Sequence, residues 1–527
     1  MPDQLPEQLP DQLPVAVVGA GPIGLTTALG LAHYGIPYVL LEEDAVLSSD
    51  TKAGTTLSRT LEIWNRYGAV DRILGAALRI DEIGDIDRAT NTPRASVQLA
   101  ELANDTQFPF VINLPQQKME PLLAAALPEP VRTQHRLTSF EVLDDRVVLQ
   151  VETPDGPQEI HASHLLACDG GRSRIRDALG VKVVGETLPE RYMLIDVVVD
   201  LDVDNARDYP YLAYFADRSE WMVLIRQPDN WRFLFPLAPG ADAPDDEDLL
   251  VKVKQFIGEV DRIELLGSVV YNVHHRVAEQ WTKDRRVFLM GDAAHLITPM
   301  WALGLNTGAL DASNLPWRLA WVLRGWASEE LLDGYEQEQR PVAIEGSGEM
   351  AEAARRYMSF QKGAVTEATG PWATAYNRTL LSVRLDVEGV GDWSMVATSA
   401  TPPPVRAGDR APDLVLQSPT GRTTIHDLCR DSFVALYFTD VRRRPEIPAN
   451  TSPALQHYAV SRWDAPHDSG LRDRSLFDPG SVTTKRYGVP PESVVLIRPD
   501  GHIAAVAPMG PGVAEELYQH VTGREVP

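Results

Sequence analysis

A glycine-rich turn between a short strand and a helix, close to the N-terminus, is the feature that most limits how this chain can fold. The apolar run VAVV at 15–18 predicts a buried strand, and GAGPIG at 19–24 opens a helix with the spacing GxGxxG. In such a turn the first glycine permits a tight bend, the second lets the backbone approach a pyrophosphate, and the third allows close helix–sheet packing. The unpaired N–H groups at the start of the helix favour phosphate. The predicted dinucleotide contacts in this turn are Gly19, Gly21, Pro22, Ile23 and Gly24.

Two acidic residues follow the second predicted strand, which runs from Tyr38 to Leu41. Glu42 closes this strand eighteen residues after Gly24, where a carboxylate can accept hydrogen bonds from both hydroxyls of a ribose. Glu43 stands next to it and is included in the predicted cofactor site.

Two later segments repeat the pattern of an apolar strand that ends in Asp and Gly. Asp169 and Gly170 follow the strand-like run HLLAC, with Arg176 seven residues after Asp169, and Gly291 and Asp292 follow RVFLM. An Asp at a strand end can bind a ribityl or ribose hydroxyl, and the next helix N-terminus can face the second half of a flavin dinucleotide. The order and spacing of the three segments indicate a flavin.

Composition restricts the partners and the compartment. The chain has 527 residues, enough for about three domains, and a formal charge of -25, which argues against nucleic-acid or anionic-membrane partners. Its 2 cysteines form no CxxC, so neither a structural disulfide nor a metal site is predicted, and a cytoplasmic location is expected. Residues 14–41 lack charge, but their glycines and prolines divide them as a βαβ unit requires, so no membrane span is predicted.

With these motifs the chain resembles the single-component FAD-dependent aromatic hydroxylases, the class A flavoprotein monooxygenases. The branch it resembles is the phenol hydroxylase-like one, with the 3-(3-hydroxyphenyl)propionate and polyketide-tailoring hydroxylases. Further matching pieces are SRTLEI at 58–63, LPQ at 114–116, HRVA at 275–278 and DASNLPWRLA at 311–320. The resemblance implies that Arg59 and Gln116 lie along the FAD, that Asp292 binds its ribityl or phosphate part, and that Arg176 belongs to a nucleotide-binding segment.

The loop at 298–306 (TPMWALGLN) departs from the family pattern PPxxGQGMN. Ala302 replaces a glycine and Leu303 a glutamine. Backbone N–H groups of such a loop and of the helix after it can face the flavin N1–C2=O edge, where negative charge collects on reduction. The predicted flavin contacts here are Pro299, Gly304, Leu305 and Asn306. Some relatives carry a catalytic histidine or aspartate at the position of Gly54, and this chain cannot use one there.

The function that the resemblance implies is hydroxylation of a small phenolic substrate with O2 and NAD(P)H, NADPH being favoured, through a flavin C4a-hydroperoxide. The nearest alternative is a polyketide-tailoring oxygenase that hydroxylates, epoxidises or performs Baeyer–Villiger insertion on a polycyclic phenol. The more distant alternatives are an NAD-dependent dehydrogenase and a non-catalytic FAD-binding protein. The sequence does not identify the base that ionises the phenol.

The expected fold class is α/β, a Rossmann-type FAD-binding domain with an inserted β-rich substrate domain and a C-terminal thioredoxin-like domain that lacks CxxC. The C-terminal domain is implied by the resemblance. Thiol–disulfide exchange needs a second cysteine near Cys429, so this domain is expected instead to support packing or a homodimer. The predicted boundaries are a flexible tail at 1–13, the FAD-binding domain at 14–78, 108–186 and 270–350, the substrate domain at 79–107 and 187–269, a helical segment at 351–398, and the linker with the last domain at 399–527.

The substrate pocket is expected between the β-rich region and the flavin ring. Strand alternation puts the aromatic residues 231, 233 and 235 on one face of their strand, and one face of that strand should line the cavity. The predicted substrate contacts are Met222, Leu224, Arg226, Trp231, Phe233, Phe235, Pro299 and Trp301.

Overall fold

The computed structural model describes residues 12–47, 54–201, 209–218, 220–258, 260–361, 404–439, 447–461 and 474–527. Residues 1–11 of the predicted tail, the predicted helical segment beyond residue 361 and the linker up to residue 403 lie outside the described residues.

The N-terminal part alternates strands and helices as the sequence predicts. Its elements are β1 (Val15–Val18), α1 (Pro22–His33), β2 (Tyr38–Leu41), β3 (Thr55–Thr56), α2 (Ser58–Arg66), α3 (Val70–Leu74), β4 (Leu78–Ile80), β5 (Glu82–Asp87), β6 (Thr92–Gln98), β7 (Val111–Asn113) and α4 (Gln116–Ala124).

The middle part is mostly β-structure. Its elements are β8 (Arg136–Val142), β9 (Val147–Thr153), β10 (Gly156–Ala162), β11 (His164–Ala167), α5 (Arg174–Ala178), β12 (Val183–Val199), β13 (Leu212–Ala216), β14 (Met222–Arg226), β15 (Trp231–Leu237), α6 (Asp246–Ile257) and β16 (Ile263–Ala278).

The next part returns to the nucleotide-binding region and then becomes helical. Its elements are β17 (Thr282–Lys283), β18 (Val287–Leu289), β19 (His295–Leu296), α7 (Leu303–Leu323), α8 (Asp333–Pro341) and α9 (Ser347–Met358).

A five-stranded sheet with the order β17-β18-β11-β1-β2 forms the centre of the nucleotide-binding region. Strand β1 is parallel to β2 and β11, and β11 is parallel to β18. All residues of β2, β11 and β18 are buried, as expected for parallel strands that are covered on both faces. Because parallel strands end at the same edge, the segments that follow β1, β11 and β18 meet there.

The substrate-side sheet has eight strands in the order β19-β16-β12-β15-β14-β13-β5-β6. Its two longest strands, β12 and β16, pair antiparallel and carry the chain between the two regions. Helix α6 covers one face of this sheet, where Phe256 lies with its ring centroid 4.8 Å from that of Phe215.

The C-terminal region contains β20 (Val415–Ser418), β21 (Gly421–Thr424), α10 (Ile425–Cys429), β22 (Phe433–Phe438), β23 (Leu455–Ser461), β24 (Ser475–Phe477), α11 (Val482–Tyr487), β25 (Ser493–Ile497), β26 (Ile503–Pro508) and α12 (Val513–Thr522). Its seven strands follow the order β21-β20-β24-β23-β22-β25-β26 around a core of their own. Phe433 packs on Trp317 of α7, with ring centroids 5.5 Å apart, so this domain rests on the nucleotide-binding region. Across the described ranges, we find no helix whose length and apolar character would let it span a bilayer.

Candidate functional site

The glycine loop after β1 has a backbone that only glycine can form. Gly19 has φ +100°, and a Cβ built there would lie 2.3 Å from the Cys168 carbonyl oxygen. A Cβ on Gly24 would lie 1.9 Å from the Gly19 carbonyl oxygen, which means that α1 begins directly against the loop. Gly21 has open space around its Cβ position. The loop therefore offers its backbone, and the N-terminus of α1, to a ligand.

Glu42 lies beside this loop. Its carboxylate accepts hydrogen bonds from the backbone N–H groups of Ala20 (2.8 Å) and Asp44 (3.0 Å), so it is held at the end of β2. Glu43 points elsewhere, because its carboxylate pairs with Arg174 at 3.2 Å on the surface.

The second and third predicted segments reach the first one. A Cβ on Gly291 would lie 2.9 Å from Ile23 Cγ1, so the turn after β18 touches the start of α1. Arg176 is buried, and its guanidinium donates to the carbonyl oxygens of Ala293 and Gly171, both at 3.1 Å. It joins the segment after β11 to the segment after β18, which is a positioning contact rather than a surface ion pair.

Asp169 leaves an acceptor free for a ligand hydroxyl. Its Oδ2 accepts from the Ile175 N–H at 3.2 Å, whereas its buried Oδ1 has no hydrogen-bond partner. Burial raises the pKa of this carboxyl, and the hydrogen bonds of Ser173 and Ile175 oppose that rise. Gly170, next to it, has φ +77°, and Asp292 is exposed in a 3-10 turn.

The loop from Pro299 leads into α7 through two left-handed residues. Trp301 and Ala302 both have φ +58°, and α7 starts at Leu303. The first turn of α7 contains no acidic side chain and no side-chain cap, so its N–H groups are available to a negatively charged edge.

Asn306 fixes this loop to the segment before α2. Its Oδ1 accepts from the Leu57 N–H (2.9 Å) and from Thr60 Oγ1 (2.7 Å). Its Nδ2 donates to the carbonyl oxygens of Ala302 (2.7 Å) and Thr55 (3.2 Å). Gly304 and Leu305 are half-buried on the first turn of the helix.

Two residues that the resemblance placed along the FAD make other contacts. The buried Arg59 guanidinium donates to Glu62 (2.9 Å) and to the Asp500 carbonyl oxygen (2.8 Å), so it faces the C-terminal domain. Gln116 donates from Nε2 to Glu120 at 2.7 Å across one turn of α4. The two Nη groups of Arg59 are thus engaged by Glu62 and the C-terminal domain, and its place along the FAD stays a prediction.

The predicted substrate contacts of the sheet lie on the face turned away from the nucleotide-binding region. They pack in the cluster that α6 covers, where the ring centroids of Phe233 and Phe256 are 6.1 Å apart. Arg226 instead closes the β14–β15 turn, where its Nη1 donates to the carbonyl oxygens of Gln227 (2.7 Å) and Asn230 (3.2 Å). Met222, Leu224, Trp231, Phe233 and Phe235 lie in this cluster and Arg226 lies at the turn, and a substrate role for them stays a prediction.

The opposite face of the sheet joins the core of the nucleotide-binding region. Paired positions put Tyr214, Val223, Leu234 and Leu194 in one row across four strands. The next row contains Arg232 opposite Asp196. Sequence alternation identified the two faces correctly, but it could not tell which of them α6 covers.

Two side chains that the sequence analysis left without a role organise the site. Asp311, buried in α7, accepts at Oδ2 from the Gly291 N–H and from His295 Nε2, both at 2.9 Å. His295 also stacks on Trp281, with ring centroids 5.3 Å apart. An acidic residue inside an apolar helix was the available signal, since buried carboxylates need partners.

These features fit a flavin dinucleotide. Glu42 stands at the ribose position of a βαβ unit, Asp169 has a buried acceptor without a partner, and Ile23 in the first turn of α1 packs against Gly308 of α7. A Cβ on Gly308 of α7 would lie 2.8 Å from Ile23 Cδ1, so the two helices start close together.

Comparison with known families gives two matches. Residues 12–346 match the FAD binding domain, and residues 405–524 match the C-terminal domain of aromatic-ring hydroxylases.

Comparison with individual proteins gives relatives that are named for different substrates. The chain is 32% identical to a 3-(3-hydroxy-phenyl)propionate/3-hydroxycinnamic acid hydroxylase of Burkholderia cenocepacia (strain HI2424) over 62% of this chain and 61% of that protein. It is 28% identical to a putative polyketide hydroxylase of Streptomyces halstedii over 96% of both. Among solved structures, a ternary complex of aklavinone-11 hydroxylase with FAD and aklavinone superposes with a TM-score of 0.80 at 25% identity, covering 98% of this chain and 100% of that one.

Proposed function

Because the chain belongs to the family of FAD-binding aromatic-ring hydroxylases, we propose that it is a FAD-dependent monooxygenase that hydroxylates a phenolic substrate with NAD(P)H and O2. The family resemblance inferred from the motifs is thereby confirmed, whereas the reaction and its substrate are our proposal. The match to the hydroxyphenylpropionate hydroxylase spans only 61% of that relative, so its activity is not transferred to this chain.

One observation carries the proposal. The segments after β1, β11 and β18 meet at one edge of the parallel sheet, where Ile23 touches both Gly291 and Gly308. This edge is where open α/β sheets bind nucleotides. The loop that precedes α7 and the face of the eight-stranded sheet opposite α6 would supply the two sides between which a flat ring lies.

When bound, FAD would accept a hydride from NAD(P)H and activate O2 for transfer of one oxygen atom to the aromatic ring. The protein's own contribution is orientation. Glu42 and Asp169 would accept hydrogen bonds from cofactor hydroxyls, and Arg176 and Asp311 hold the turns that would support the cofactor. The first turn of α7 would stabilise negative charge at the edge of the ring that faces it.

A polycyclic phenol is the second candidate substrate, with hydroxylation, epoxidation or Baeyer–Villiger insertion as the reaction. The observation that favours it is the large share of each of two relatives' lengths that this chain matches. The putative polyketide hydroxylase matches over 96% of its length, and the superposed aklavinone-11 hydroxylase over 100%.

For the C-terminal domain we propose a thioredoxin-like fold without redox function. Burial raises the pKa of the Cys429 thiol to about 12, so the thiolate that exchange requires does not form near neutral pH. Packing against α7, or support of a homodimer, is the role that we propose for it.

NADPH oxidation by the FAD-loaded protein across a panel of monocyclic and polycyclic phenols, with product quantified beside NADPH consumed, tests the activity. Matched consumption and product for one phenol would establish a hydroxylase. If every phenol leaves NADPH oxidation at its basal rate, the monooxygenase proposal fails.

A matched pair of glycine variants tests the cofactor site. In Gly24→Ala the new Cβ meets the Gly19 carbonyl at 1.9 Å, so the purified protein should lose its flavin absorbance. Gly267→Ala is the control, since nothing lies within 4 Å of its Cβ position, and it should keep a full complement of FAD. Equal flavin content in the two variants would contradict a site at this loop.

A further inference from the structure

The face of the eight-stranded sheet that joins the nucleotide-binding core carries a buried cation. The Arg232 side chain is only 2% exposed, and it donates from Nε and Nη2 to the two carboxylate oxygens of Asp196, both at 2.8 Å. Its remaining nitrogen, Nη1, makes no hydrogen bond with the described residues. The Nη1 group of Arg232 therefore keeps its N–H donors for a ligand that lies against this face of the sheet.

A second donor points to the same place. Gln227 is 1% exposed, and its Nε2 has no hydrogen-bond partner. A Cβ built on Gly54 would lie 3.1 Å from Gln227 Nε2 and 3.6 Å from Arg232 Nη1, so both nitrogens approach the same glycine. A buried amide donor without a partner loses its hydrogen bonds to water, and a ligand oxygen would restore one of them.

These donors lie next to the loop at 298–306, which is proposed to hold the flavin. Gly54 precedes Thr55, whose carbonyl oxygen accepts from Asn306 Nδ2, and Asn306 also holds the carbonyl of Ala302. Asn113 of β7 donates from Nδ2 to the Arg226 carbonyl oxygen at 2.8 Å, and this bond holds the β14–β15 turn against β7. Gly54, which both donors approach, is therefore the chain neighbour of Thr55, to which Asn306 binds.

We propose that Gln227 Nε2 and Arg232 Nη1 bind an anionic oxygen of the aromatic substrate. This inference rests on the proposed function, and it adds the residues that recognise the substrate. Both groups are donors, so they select an acceptor, and a phenolate or carboxylate oxygen accepts more strongly than a neutral one. Asp196 keeps the Arg232 guanidinium oriented without using the donor that faces Gly54, and it is a positioning residue.

Gln227→Met provides the sharpest test, because it keeps the length of the side chain and removes both N–H groups of Nε2. In the folded protein Nε2 bonds nothing, so this variant should unfold at the same or a higher temperature than the unsubstituted protein. Gln98→Met is the matched control, at an exposed position on β6 of the same sheet. Neither change should alter the amount of bound FAD.

The probes are 4-nitrophenol and 4-nitrobenzoate, which present a phenolate and a carboxylate oxygen, and 4-nitroanisole, which presents neither. Their dissociation constants from the FAD-loaded protein are measured by perturbation of the flavin spectrum. Gln227→Met should weaken one of the two anionic probes by about 10-fold or more and 4-nitroanisole by less than about 2-fold. The anion that is weakened identifies which oxygen the donors bind.

The outcomes separate this inference from the proposed function. If the unsubstituted protein hydroxylates a phenol and Gln227→Met binds all three probes as tightly as Gln98→Met does, only the substrate-oxygen site is overturned. An equal loss for all three probes would also overturn it, because it would indicate a general change of pocket shape. If the unsubstituted holoprotein binds no probe and oxidises NADPH at the basal rate with every phenol, both proposals fail.

Discussion

Two adjacent residues before α7 hold a backbone conformation that side chains disfavour. Trp301 and Ala302 both have φ +58°, in the left-handed region, where each L-residue costs roughly 1–2 kcal/mol. The strain is maintained by Asn306, which binds the Ala302 carbonyl, and by the burial of Trp301. The loop that is proposed to hold the flavin edge is therefore a fixed but strained structure.

Replacing Ala302 with glycine should stabilise the protein. Glycine adopts a positive φ without steric cost, and part of this gain is offset by the larger entropy of the unfolded chain. We expect Ala302→Gly to raise the free energy of unfolding by about 0.5–1 kcal/mol, measured by urea denaturation. Ala125→Gly, at an exposed position with φ -68°, is the control and should lower it slightly. A loss of stability in Ala302→Gly would show that Ala302 is not strained.

At the residue scale, the sequence predicted those positions that local backbone geometry determines. Gly19 is required by its positive φ and Gly24 by its approach to the Gly19 carbonyl oxygen, both local to the turn, so their spacing was sufficient to identify it. Arg59 could not be placed in the same way, because its partner, the Asp500 carbonyl, lies 441 positions away in another domain.

At the scale of elements, helix α6 covers one of the two faces of the eight-stranded sheet. The helix carries Leu249, Val253 and Phe256 on its buried side, and these cover the residues that alternation had grouped as a cavity wall. Alternation along β15 is a local property, but the choice of covered face depends on where a later helix returns. This is why the sequence predicts the two faces of the strand but not which of them α6 covers.

Phe256→Ala should destabilise the protein without weakening FAD or substrate binding. Its ring contacts Phe215 and stacks on Tyr209 with a centroid distance of 5.5 Å, so truncation leaves a cavity that costs about 3 kcal/mol. The readouts are urea denaturation, FAD affinity and the KM of any phenol that the panel identifies. Val251→Ala, on the exposed side of the same helix, should change stability by less than about 0.5 kcal/mol. A raised KM with unchanged stability would instead assign the α6 face to the substrate.

At the scale of the whole molecule, buried ion pairs join the C-terminal domain to the nucleotide-binding region. Glu62 of α2 accepts from Arg59 and from Arg410, which lies 348 positions away. Nearby, Arg498 donates to Glu338 of α8 at 2.7 and 3.0 Å. Burial opposes ionisation of Glu62, but the neighbouring Arg410 and His426 prevail and hold the pKa of Glu62 well below its usual range. Such pairs are specified only by the assembled interface, so composition and motifs gave no signal for them.

Asp413 makes this interface sensitive to pH. Burial, reinforced by the charge of Glu62, raises the pKa of Asp413 to about 7, while its Oδ1 accepts from the His426 N–H at 2.8 Å. Because the folded pKa lies above the unfolded one, the protonated carboxyl contributes stability that is complete below about pH 4 and is lost as the pH rises through about 7.

Asp413→Asn removes this titration and keeps the oxygen that accepts from His426. Relative to the unsubstituted protein, the variant should therefore become more stable on going from pH 5 to pH 8, by roughly 1–3 kcal/mol in the free energy of unfolding. Urea denaturation of both proteins at the two pH values gives the difference, and other titrating groups cancel in it. Ser418→Ala, in an exposed turn of the same domain, changes no titratable group and should shift stability equally at both pH values. A difference for Asp413→Asn that does not depend on pH would mean that the carboxyl is ionised throughout, and that the interface stabilises its charge as it does that of Glu62.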